Sequence, residues 1–74
     1  MSIARITEIS STSTKSFEDA IQNAVTRATT TLRNVRSAWV KEQQIRIDNG
    51  NIVEYQVNLM ITFVLDDGDQ TDVA

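Results

Sequence analysis

Side chains able to do covalent or acid–base chemistry are scarce in this chain. There is no cysteine and no histidine, which removes thiol nucleophiles, disulfide cross-links, imidazole catalysis and the usual zinc ligands together. Lys15, Lys41 and the carboxylates remain, and no pair of them has a spacing that suggests a shared catalytic centre. An enzyme is therefore not expected. The residues suited to binding are Trp39, the only tryptophan, and Gln56. An indole offers a flat π face that anchors an interface or stacks on a planar ligand, and a primary amide both donates and accepts hydrogen bonds. Any metal would be a hard, oxygen-bound cation such as Ca²⁺ or Mg²⁺. Asp66, Asp67, Asp69 and Asp72 are the densest acidic run, but it lacks the loop length and closing glutamate of an EF-hand. Residues 67–74 read as an acidic, mobile tail.

The chain that must position these residues is 74 long and forms one small domain. Its 41% hydrophobic and 23% charged residues place it in the globular range. The formal charge is 7 − 10 = −3. All the basic residues and six of the ten acids lie before Asp66, so the body is nearly neutral. It carries no basic stripe, which argues against a nucleic-acid partner. No apolar run approaches the roughly 20 residues that span a bilayer. The first residues lack the basic-then-apolar order of a secretory signal, so no membrane partner and a cytoplasmic location are expected.

Residues 2–9 are rich in β-branched side chains and predict a first strand, ended by a polar loop at Ser10-Ser11-Thr12-Ser13-Thr14. From Phe17 through Ala20, Ile21, Ala24, Val25, Ala28 and Leu32 to Val35 the apolar spacing of three and four predicts a helix. Ser16 and Asp19 have the spacing of an N-terminal capping box. Arg33 and Arg36 would suit the carbonyl end of the helix dipole. The pattern then alternates, and Asn49-Gly50 predicts a two-residue hairpin turn. With that turn, paired residues have numbers summing to 99, so Val40 faces Leu59 and Ala38 faces Ile61. These share an apolar face with Val53, Tyr55, Val57, Phe63 and Leu65. The fold class is α+β, in the order strand, helix, strand, strand. The expected sheet is three-stranded and antiparallel, mixed with the first strand beside the last, and wrapped around the helix, with the long hairpin projecting.

The second face of the hairpin then holds Ser37, Trp39, Lys41, Gln43, Ile45 and Ile47 from one strand. Opposite them come Ile52, Glu54, Gln56, Asn58, Met60, Thr62 and Val64. One helix covers only one side of a sheet, and this second face is too apolar to meet water alone. Without cysteines to staple so small a domain, assembly of identical copies is expected.

Ser16-Phe17-Glu18-Asp19-Ala20-Ile21-Gln22-Asn23-Ala24, Thr31-Leu32-Arg33-Asn34-Val35-Arg36, Glu42-Gln43, Gly50 and Tyr55-Gln56-Val57 with Phe63 and Leu65 are similar to the dodecins, small flavin-binding proteins. The likeness covers about residues 3–66, so the domain is set at 1–66 with the tail at 67–74. It implies a hollow homododecamer with helices outside and sheets wrapped around them. It also implies binding of flavins in pairs between aromatic side chains, for storage or buffering and not for turnover. The family's stacking tryptophan directly follows Asn-Val-Arg, where this chain has Ser37; its tryptophan comes two residues later, at Trp39. Strand side chains repeat every two residues, so Trp39 keeps the face but is displaced by about 6.6 Å. The family's flavin-bonding glutamine corresponds to Gln56. Gln44 stands where relatives often have an arginine that could meet a phosphate, so riboflavin or a related compound is expected before FMN. A flavin-free shell with a structural or divalent-cation-binding role is the alternative.

Overall fold

The computed structural model describes residues 3–65. Four elements follow in order: β1 (Ala4–Ser13), α1 (Phe17–Thr31), β2 (Val35–Asp48) and β3 (Asn51–Val64). They form one sheet in the order β1-β3-β2, with both neighbouring pairs antiparallel. The first strand does lie beside the last. The sheet is not mixed, because β1 and β2, which run in the same direction, are separated by β3. The arrangement is a split βαβ unit in which α1 is the crossover helix.

Local chemistry accounts for each boundary. Ser16 has extended backbone and its hydroxyl accepts from the Asp19 amide at 2.9 Å, which caps α1. Asp19 does not complete a reciprocal box; its carboxylate accepts from the Ser13 hydroxyl at 2.6 Å. Ser13, buried at the end of β1, also accepts from the Lys15 amide at 2.9 Å. The Ser/Thr run expected as a loop therefore belongs to β1, whose residues Ser10, Ser11, Thr12 and Ser13 pair with Asn58, Val57, Gln56 and Tyr55. Hydroxyl side chains are tolerated there because their partners on β3 include polar amides. Ser16→Ala is expected to destabilise the fold by about 1 kcal/mol, measurable as a lower urea midpoint, whereas Ser16→Asp should retain most of the wild-type stability.

The helix ends at Thr31, earlier than the apolar spacing predicts, and Val35 opens β2. In the last turn the Thr29, Thr30 and Thr31 hydroxyls donate to carbonyls three or four residues back, and such β-branched, back-bonding residues are poor helix formers. Leu32 turns extended while its amide still donates to Ala28 at 2.8 Å, and Asn34 takes the left-handed conformation at φ 59°. Leu32 and Val35 nevertheless pack on the core, which is why they continue the helical pattern. The last turn holds no basic residue. Arg33 thus lies just past the C-cap Leu32, and Arg36 lies on β2.

The core is a small-against-large interface. Ala20, Ala24 and Ala28, one turn apart on α1, are buried against Val57, Leu59 and Ile61 of the central strand. Phe17 meets Tyr55 edge to face, with centroids 5.1 Å apart, and pins the start of the helix. The helix lies mainly over β1 and β3. At ~1.5 Å per residue α1 spans about 22 Å, whereas a 14-residue strand at ~3.3 Å spans about 46 Å. The hairpin tip consequently projects without cover, with Ile45, Ile47 and Ile52 exposed.

The turn forms at Asn49-Gly50, both in the left-handed region, and pairs Asp48 with Asn51 and Ile47 with Ile52 as expected. Val40 faces Leu59 and Ala38 faces Ile61, also as expected. Between these stretches the register slips by one residue and returns. Val53 is extra in β3 and Lys41 is extra in β2, so two bulges cancel. Within the slipped segment Glu42, Gln44 and Arg46 face Asn58, Gln56 and Glu54, while Gln43 and Ile45 sit opposite Val57 and Tyr55. The placement of Gln43 and Ile45 on the Trp39 face is thereby corrected. Complementarity gives the reason: the unslipped register would set Ile45 against Glu54, whereas the slip brings Arg46 to Glu54 at 3.3 Å.

Candidate functional site

The helix-free face of the sheet is built from alternate residues of three strands. Its first part is an apolar platform. Trp39, Met60 and Glu8 form one cross-sheet row, and Ser37, Thr62 and Ile6 form the next. Trp39 is 49% exposed and Ile6 50%, so the indole, the thioether and the isoleucine present an open hydrophobic surface around the small Ser37. Such a surface suits the face of a planar ring.

The second part is a polar ladder around Gln56. Gln44 Nε2 donates to Gln56 Oε1 at 3.0 Å, and Gln56 Nε2 donates to Ser10 Oγ at 3.0 Å and to Asn58 Oδ1 at 3.4 Å. Asn58 Nδ2 in turn donates to Glu42 at 3.0 Å. Lys41 bridges to Glu8 at 3.3 Å. Gln56 keeps a free acceptor lone pair on Oε1, while both of its N–H groups are engaged. Trp39 and Gln56 share the face, as parity predicts. They are four β3 residues apart, about 13 Å at ~3.3 Å per residue, so within one chain they form two separate stations.

Trp39 offers π surface to a planar ring, and Gln56 offers a hydrogen-bond acceptor. Ser37 supplies no ring surface and leaves room beside Trp39. Gln44, read from the sequence only as a missing arginine, is the direct partner of Gln56, and Glu42 and Asn58 extend the same network. The signal that reveals them is the better pairing obtained by slipping the hairpin one residue, as Arg46 and Glu54 require. A groove of about 440 Å³ between β1 and α1, lined by Ile9, Ala24, Arg27, Ala28 and Leu32 among others, has no aromatic wall and lies on the helix side. Among the described residues no three His, Cys, Asp or Glu side chains are grouped as they would be around a metal ion. The acidic run from Asp66 lies outside the described residues. No described helix is long and apolar enough to cross a membrane.

The family model for dodecin matches residues 3–66. The chain belongs to the dodecin family. Among solved dodecins, a single-substitution mutant of that of Thermus thermophilus is 36% identical and superimposes with a TM-score of 0.84, covering 90% of this chain and all of the other. The dodecin of Streptomyces coelicolor is 35% identical with a TM-score of 0.83, over 89% of this chain and 94% of the other. A curated relative, the calcium dodecin of Mycobacterium tuberculosis, is 33% identical over 85% of this chain and 89% of its own. The split βαβ sheet with its single crossover helix is thus the dodecin fold, and the platform and ladder lie on the helix-free face of this dodecin's sheet.

Proposed function

We propose that this dodecin is a flavin-sequestering protein that stores or buffers a riboflavin-type ligand and performs no catalysis on it. The observation that carries the reading is the half-exposed Trp39 on an uncovered sheet face, flanked by Met60 and Ile6. A second copy is needed to close a stacked ring from its other side and to bring a Gln56 station toward a Trp39 station. Self-assembly also covers the projecting hairpin, since an isolated two-stranded ribbon is marginally stable in water. Gln44, a neutral amide already bonded to Gln56, gives no cationic partner for a phosphate, which favours riboflavin or a related compound over FMN.

The test is the colour and fluorescence of the protein. Purified protein should carry or take up flavin and quench added riboflavin. Light scattering should give a closed assembly of twelve 8.3 kDa chains, near 12 × 8.3 ≈ 100 kDa; a concentration-independent monomer would overturn the assembly. The alternative, a flavin-free shell binding a divalent cation, is favoured by the relative described as a calcium dodecin. Protein that fails to quench riboflavin but releases heat on titration with Ca²⁺ supports that alternative, with ligands contributed by more than one copy.

A further inference from the structure

The following inference rests on the flavin reading and deepens it, by identifying what orients Gln56. Glu42 and Gln44 on β2 face Asn58 and Gln56 on β3, and the four side chains form a hydrogen-bonded quartet. Its direction follows from chemistry. An ionised carboxylate only accepts. Asn58 must therefore turn its Nδ2 to Glu42, at 3.0 Å, which leaves its Oδ1 facing Gln56. That oxygen takes one Nε2 proton of Gln56, and Ser10 Oγ takes the other at 3.0 Å. The Gln56 carbonyl is left to accept from Gln44. Reversing either amide of β3 would set an oxygen against an oxygen. The quartet is a one-way chain anchored on Glu42.

We propose that Glu42 is the positioning residue that fixes Gln56 as an acceptor-only contact. The site then selects a planar ligand whose edge presents an N–H donor, such as the imide N–H of an isoalloxazine, and rejects the same ring alkylated at that nitrogen. Neither the compositional pattern nor the unslipped register points to Glu42; the β2 bulge at Lys41 places it.

The experiment compares riboflavin with its N3-methyl derivative by fluorescence quenching, in wild type, Glu42→Gln and Glu54→Gln. Wild type should bind the N3-methyl compound about tenfold more weakly, the effect of one unmade hydrogen bond. In Glu42→Gln the new amide donates as well as accepts, both orientations of Asn58 and Gln56 become available, and the preference should fall to about twofold or less. Glu54→Gln, which removes a carboxylate paired with Arg46 outside the quartet, should keep the wild-type preference. A second readout needs no ligand. The ¹⁵N–¹H signals of the Gln56 and Asn58 side-chain amides should shift or double in Glu42→Gln and stay in place in Glu54→Gln. No wild-type preference for riboflavin, or a preference that survives Glu42→Gln, overturns the proposal. If wild type binds neither flavin, the flavin reading fails by itself, and unchanged Gln56 amide signals in Glu42→Gln overturn the role of Glu42 independently.

Discussion

Leu59→Ala should destabilise the protein by about 2–5 kcal/mol, the largest effect expected from any single truncation in the sheet. Leu59 is 1% exposed and occupies the middle of the central strand, between Ile9 of β1 and Val40 of β2. The cost of a cavity depends on whether neighbours can move into it. Here the facing surface of α1 is Ala20, Ala24 and Ala28, whose short side chains cannot swing into the gap. The sheet is equally constrained, because its neighbours on both sides are bonded into the ladder. The loss should therefore lie in the upper half of that range. Leu59→Met, which nearly conserves volume, should cost less than about 1.5 kcal/mol. Urea unfolding at one fixed protomer concentration is the appropriate measurement, because assembly linked to folding makes the apparent stability depend on concentration. A Leu59→Ala loss below that of Leu59→Met would mean that the helix–sheet interface is looser than the alanine stripe implies.

The same core explains how much of the molecule is legible in the sequence. The alanine stripe, the cap at Ser16, the Asn49-Gly50 turn and the apolar alternation around Val57, Leu59 and Ile61 are local patterns, each with one physical reading, and each is realised. What escapes a strictly periodic reading are departures from period. Leu32 and Val35 keep helical spacing although the chain has already turned extended at Leu32, because packing on the core does not require helical backbone. The Ser10–Ser13 run looks like a loop until β3 supplies Asn58 and Gln56 as partners. The compensating bulges at Lys41 and Val53 leave the turn and the pairing of residues 37–40 with residues 59–62 in the expected register and change the segment between them, and a further irregularity at Arg36 sets Val35 against Phe63. That middle segment is where Glu42 and Gln44 reach the ladder, so the site is less legible than the fold.

Trp39→Ala should weaken flavin binding by about 1–3 kcal/mol, roughly 5- to 150-fold, by analogy with the stacking of bases on aromatic side chains. Gln56→Ala should cost less, near 1 kcal/mol, since water can replace part of its hydrogen bonding. The unequal effects follow from the platform. Trp39 supplies ring surface that nothing else on the face offers, whereas Gln56 supplies one acceptor already embedded in a network. Ser37 and Trp39 face Thr62 and Met60 in adjacent rows, so exchanging their roles moves the indole by about 6.6 Å without changing its side of the sheet. Ser37→Trp combined with Trp39→Glu should accordingly tighten binding, read as stronger quenching of riboflavin fluorescence at lower protein concentration. Weaker quenching by the double variant than by wild type would show that the displaced Trp39 platform is the adapted one. If instead wild type does not quench and the double variant does, Ser37 has removed the stacking surface, and the cation-binding shell becomes the better account of this dodecin.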